Sequence, residues 1–165
     1  MGLKESGLRG SLRNVSVGID AIPDSSVERG SDNDTSGPRD DQVGLIINSD
    51  DEWVEIDGRI SGNTSGITRA YVYDVANENL HGDVDISSLS AGDTFTVDLD
   101  DPIQPDTDYY FLADAEGSNY DAGLRNIGDE TPIESDDGRL RIIDGASGFS
   151  SSPNAFNIDK VGNLR

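Results

Sequence analysis

Cysteine is absent from the 165 residues. That excludes a disulfide framework and any Cys-based zinc or iron–sulfur site. Only one histidine occurs, His81, so neither a His-rich metal site nor a Ser-His-Asp triad is expected. Cations are scarce: 12 Lys and Arg stand against 33 Asp and Glu, a net charge of −21. A field of that sign repels phosphates, so nucleic acid is not an expected partner. No apolar run approaches the ~20 residues that cross a bilayer. The opening MGLKESGLRG lacks the apolar stretch of a secretory signal, and membrane insertion is not expected. The G-x-S-x-G, P-loop and H-E-x-x-H patterns are missing too. The expectation is a protein with no catalytic residues, no metal and no cofactor.

What is present has an unusual balance. Asp outnumbers Glu 25 to 8, and Arg outnumbers Lys 10 to 2. Short carboxylates with few lysine stems make a hydrated surface with little exposed hydrocarbon, suited to molar salt. There the screening length falls to ~3 Å and self-repulsion is muted. Leu, Ile, Val and Phe make up 39 of the 165 residues, or 24%. That is above the ~20% below which acidic chains stay disordered, so a folded halophilic protein is expected.

The chain divides at residue 42. Residues 1–42 read as an N-terminal arm and linker, and 43–165 as one β-domain with an irregular C-terminal tail. Within the arm, residues 1–19 carry Lys4, Arg9 and Arg13 against Glu5 alone, a local +2 on a remainder of −23. Residues 24–42 are rich in Gly, Ser and Asp and read as a linker or exposed loop. Beyond residue 42 the hydrophobic period is two, the mark of half-buried strands. It predicts strands at Gln42–Asn48, Trp53–Ile60, Ile67–Val75, Asp83–Ile86, Thr94–Leu99, Asp108–Ala113 and Arg139–Ile143. Turn chemistry separates them, at Ser61-Gly62-Asn63, Asn77-Glu78-Asn79, Ser90-Ala91-Gly92-Asp93 and Pro102 with Pro105. That spacing has the rhythm of an all-β sandwich. Gln42–Asn48 is apolar and uncharged. Read as an edge strand, it must be covered by the arm, a neighbouring strand or another subunit.

Candidate functional residues fall in two groups. The basic arm can dock onto an acidic partner, through Lys4, Arg9 and Arg13 with Leu3, Leu8, Leu12 and Val15. Tyr109, Tyr110 and Tyr120 lie on or beside strands and could stack on a sugar, which would make a carbohydrate-binding module for host surface glycans. Trp53 opens a strand on its polar face, as a core cap or an inter-subunit anchor. The acidic clusters Asp32-Asn33-Asp34, Asp50-Asp51-Glu52 and Asp98 to Asp101 read as solvated surface. The first starts like an EF-hand loop, but Val43 stands where the twelfth-position glutamate belongs. His81 reads as a surface turn residue.

The opening GLRGSLRNVSVGIDAIPDS (residues 7–25) resembles the leader of structural proteins of tailed viruses of halophilic archaea. The stretch from ISGNTSGITRAYVYD to DTDYYFLADAEGSNYDAGL (residues 60–124) resembles a β-sandwich module of the same group, with DTDYYFLADAEGSNYDAG as its closing pair of strands. RLRIIDGASG resembles the last strand. The resemblance implies an antiparallel, jelly-roll-like β-sandwich with an extended N-terminal arm. It further implies a non-enzymatic protein of the virion surface, such as a capsid turret, decoration or tail-fibre component. Such a protein is assembled in the host cytoplasm with other virion proteins, is homo-oligomeric, and is anchored through Leu3, Lys4, Leu8, Arg9, Leu12 and Arg13.

Overall fold

The computed structural model describes residues 12–13, 27, 34–39, 42–60, 64–115, 118–124 and 131–149. Among them the protein is all-β, with no helix. Its strands are β1 (Leu12–Arg13), β2 (Asp34–Arg39), β3 (Gln42–Ser49), β4 (Trp53–Arg59), β5 (Arg69–Asp74) and β6 (Leu80–Asp85). They continue with β7 (Thr94–Ile103), β8 (Tyr109–Asp114), β9 (Tyr120–Leu124), β10 (Ile133–Glu134) and β11 (Leu140–Phe149). One sheet has the order β10-β11-β3-β8-β5-β6, a second β1-β4-β7, and a third β2-β9. Every pairing is antiparallel.

β3 is not an edge strand. It lies between β11 and β8 in the six-stranded sheet. Its consecutive Ile46 and Ile47 are both buried, one in each of two separate clusters, so this strand is covered on both faces. An unbroken apolar run is what two-sided burial requires. A neighbouring strand provides the expected cover. Gly44 is obligatory here, since a Cβ at that position would stand 2.0 Å from the Phe111 carbonyl oxygen of β8.

The main core draws on both larger sheets. Ile47, Val72, Tyr109 and Leu140 come from the six-stranded sheet, and Ile56, Val97, Leu99 and Ile103 from β4 and β7. Each fully buried aliphatic side chain stabilises by roughly 1.5–3 kcal/mol. β7 follows the predicted alternation: Val97 and Leu99 point inward while Thr94, Thr96, Asp98 and Asp100 are exposed. β6 and β7 approach so closely that a Cβ on Gly82 would lie 2.3 Å from the Asp98 carbonyl oxygen. A second cluster joins Ile46, Tyr73, Tyr110, Leu112 and Ala146.

Three strands depart from the periodicity. Trp53 is 0% exposed, although strict alternation puts it opposite Ile56. The ladder shifts register between Trp53 (opposite Ile103) and Glu55 (opposite Asp98). This bulge turns the indole inward onto the side of Ile56 and Ile60, so Trp53 is a core residue. β2 forms inside the stretch read as linker. It pairs through its backbone with β9, and its register shifts between Ser36 and Arg39, around Pro38. β9 therefore does not close a pair with β8, which instead lies between β3 and β5. Of the expected arm, Leu12–Arg13 and β2 are paired, and Val27 packs against Ile142.

Candidate functional site

The residues singled out for docking converge, as far as they are described, on one sheet edge. β4 has β7 on one side and β1 on the other. Leu12 is opposite Ile56, and Ile56 is opposite Val97. Ile56 and Val97 are both buried. Arg13 is opposite Glu55, and Glu55 is opposite Asp98. Two acids face to face on adjacent strands repel, by an amount comparable to the roughly 0.2–1 kcal/mol a favourable pair contributes. Leu3, Lys4, Leu8, Arg9 and Val15 lie outside the described residues.

The three tyrosines considered for glycan stacking are core residues. Tyr109, Tyr110 and Tyr120 are 2%, 0% and 3% exposed, so none offers a ring face to a sugar. The Tyr109 hydroxyl accepts the Gln104 N–H at 2.9 Å, and that of Tyr120 donates to the Ala113 carbonyl at 3.4 Å. Burial pushes the Tyr109 and Tyr110 phenols up from their ordinary value. Apolar and polar sides of a tyrosine look alike in sequence, and two-sided burial of β8 claims all of Tyr109 and Tyr110.

Two polar networks were hidden in the sequence. At the end of β5, the buried Asp74 accepts the Asn77 N–H at 2.5 Å and Asn79 Nδ2 at 3.1 Å, while His81 Nε2 lies 3.5 Å away. His81 Nδ1 faces the Asp101 carbonyl oxygen of β7 at 2.9 Å, which makes that nitrogen the donor. The imidazole stands edge-on to Tyr109, with centroids 5.1 Å apart. His81 is thus a half-buried tie between β5, β6, β7 and β8, not a surface turn residue. Burial alone would raise the Asp74 carboxyl, but hydrogen bonds from Asn77, Asn79 and His81 outweigh it and hold it low. The spacing Asp74, Asn77, Asn79, His81 across a turn was the available signal.

The second network ties β3, β8 and β5 together. Gln42 Nε2 donates to Asp114 Oδ2 and the Tyr71 hydroxyl to Asp114 Oδ1, both at 3.1 Å. The buried Tyr73 phenol nearby is pushed up to about 12 by burial and then by the Asp114 charge. Both networks tie strands to one another.

The acidic clusters resolve differently. Asp50 and Asp51 are held by arginines of β11 and the turn before it: Arg141 Nη2 to Asp50 at 2.7 Å, and Arg139 Nη1 to Asp51 at 2.8 Å. The Arg139 guanidinium also lies over the Trp53 ring, 5.6 Å from its centroid. Asp98 and Asp100 are exposed. Among the described residues no group of three or more His, Cys, Asp or Glu is gathered as for a metal ion, and no helix is long and apolar enough to cross a membrane. A cleft of about 420 Å³ is lined by Ile60, Thr64, Ser65, Ile67, Leu89 and Ser90 among others. Among the described residues lining it, none has an acidic or basic side chain. Compared with protein-family models, with curated proteins and with solved structures, the chain matches none of them.

Proposed function

We propose that this chain is a non-enzymatic structural protein of the virion surface in a tailed virus of halophilic archaea, of the capsid-turret, decoration or tail-fibre kind. It assembles as a homo-oligomer with other virion proteins and is attached through its N-terminal arm. The observation that carries the reading is the charge contrast between residues 1–19, at +2, and a remainder of −23; the backbone of Leu12 and Arg13, two of the six expected docking residues, pairs with β4 of the same chain. Such a component needs a hydrated, rigid body and an adhesive segment. A body of −23 with an Asp-rich surface and a segment of +2 supply the two parts. The likeness of residues 7–25 to viral leaders points the same way. In this reading the six- and three-stranded sheets, which share one core, are the halves of a jelly-roll-like sandwich.

The test is sedimentation equilibrium in molar KCl, with the full chain and with a chain lacking residues 1–24. A defined oligomer that falls apart without those residues is the expected result. A monomer indifferent to their removal overturns the reading.

A further inference from the structure

Side chains are described for four arginines, and three of them are paired with carboxylates. Arg69 meets Asp83, Arg139 meets Asp51 and Asp137, and Arg141 meets Asp50 and Glu134. Arg59 is the exception. Its Nε donates to the Gly92 carbonyl oxygen at 3.2 Å. Its exposed guanidinium has no carboxylate partner among the described residues. In a chain with 33 acids and only 12 Lys and Arg, this cation stands outside the charge pairing that holds the others.

The turn that Arg59 braces is a wall of the 420 Å³ cleft. Ser90 and Ala91 line the cleft directly, and Gly92 follows them. Backbone bonds fix this wall: the Gly92 N–H donates to the Ile60 carbonyl at 2.8 Å, the Ile60 N–H to the Asp93 carbonyl at 3.0 Å, and the Asp93 N–H to the Ser90 carbonyl at 3.0 Å. The acid of the turn, Asp93, has its carboxylate committed to the Ser90 N–H at 2.9 Å. Inside the cleft, Ile60, Ile67 and Leu89 supply aliphatic surface, and Thr64, Ser65 and Ser90 supply uncharged hydroxyls. A concavity of several hundred cubic ångströms with apolar walls and a few placed polar groups is the usual form of a small-molecule site.

We propose that this cleft binds a small organic carboxylate with an apolar body, and that Arg59 beside it holds the carboxylate. The bond from Nε to Gly92 anchors the guanidinium and leaves its two Nη groups to grip both oxygens of one carboxylate. The hydroxyls of Thr64, Ser65 and Ser90 carry no charge to compete for the guanidinium. The apolar body leaves water for the surface of Ile60, Ile67 and Leu89, at about 25 cal/mol per Å² buried. A net charge of −21 does not bar an anion here, because molar salt screens it beyond ~3 Å and the ligand meets Arg59 at contact. The inference is independent of the structural role proposed above.

The test is a titration of the full-length, nitrogen-15-labelled chain in molar KCl, followed by the NMR shifts of its amides. The probes are potassium hexanoate and its uncharged counterpart hexanamide. Hexanoate should shift the amides of Ile67, Leu89, Ser90 and Gly92 with a dissociation constant of about millimolar order, as suits so small a ligand. Hexanamide should bind the same chain about tenfold more weakly, and Arg59→Gln should weaken hexanoate about tenfold, the loss of a charged hydrogen-bonding partner. Arg59 is exposed, and the hexanamide comparison uses the unaltered protein, so the test holds even if Arg59→Gln disturbs the turn. No shift of these amides by hexanoate up to about 100 mM, two orders of magnitude above the expected constant, overturns the proposal. So does equal binding of the two probes to the unaltered chain, which would leave Arg59 as a brace of the turn only. Neither result bears on the oligomer that tests the structural role.

Discussion

Replacing Asp74 with alanine should cost this fold about 2–4 kcal/mol. The carboxylate is buried, and it satisfies the Asn77 N–H at 2.5 Å and the Asn79 amide at 3.1 Å while His81 stands at 3.5 Å. Each donor left without its acceptor costs about 1–3 kcal/mol, the low end applying where water can substitute. Asn77 and Asn79 are exposed at the turn, so the low end applies to them. His81 is half-buried and adds its own term. For a chain of this length the sum corresponds to a fall of about 5–15 °C in melting temperature. Calorimetry in molar KCl reads it directly.

The pH dependence separates the network from a simple cavity. Asp74 is held below the ordinary aspartate value in the folded state. Its contribution is therefore fully present above the unfolded value of about 3.9 and is lost as pH falls through the folded one. The gap between wild type and Asp74→Ala should be full near neutrality and should close in strong acid. A gap of under about 2 °C near pH 7, or one that stays constant into acid, would refute the reasoning.

Gly44→Ala should prevent β3 and β8 from pairing in register, because the new methyl would sit 2.0 Å from a main-chain oxygen; the expected loss is about 3 kcal/mol or more, read as a lower urea midpoint. Tyr73 should ionise late, at about pH 12. Its raised value means that its share of stability is complete below about pH 10 and is lost as pH climbs towards 12, so ultraviolet titration of the phenols should show a late step that coincides with alkaline unfolding. Trp53→Phe removes the donor to Ser49 Oγ, 2.5 Å away, and should cost about 1–2 kcal/mol, measured by urea denaturation.

The strands most open to sequence reading were those with one wet face. In β7 the alternation of Val97 and Leu99 with Asp98 and Asp100 stated both the strand and its orientation. β3 gave its existence but not its place, because a run such as Leu45-Ile46-Ile47 is equally at home at a protected edge or in the middle of a sheet. Trp53 was set on the wrong face because a bulge inserts its residue without a compositional sign. β2 and β9 were obscured for another reason: they are held by backbone pairing, and stretches such as DTSGPR have no apolar pattern to betray it. Of the site, Leu12 and Arg13 stood out by charge and apolarity. The partner row of Ile56 and Glu55 did not, since nothing local connects residue 13 to residue 55.

The position of β11 has a consequence for how the chain is made. β3 is among the first strands to be synthesised, yet one of its two neighbours is β11, with Leu140 opposite Ser49 and Ala146 opposite Gly44. The ribosome must add nearly a hundred residues before that flank of β3 can be covered. Until then Leu45, Ile46 and Ile47 border an open row of backbone donors and acceptors, the kind of surface that invites pairing between nascent chains. Contacts of such long sequence separation also slow the search for the native pairing. Production of this protein should therefore be most vulnerable to a stop codon just before Leu140, where almost the entire chain exists but the central sheet still lacks the strand that closes it.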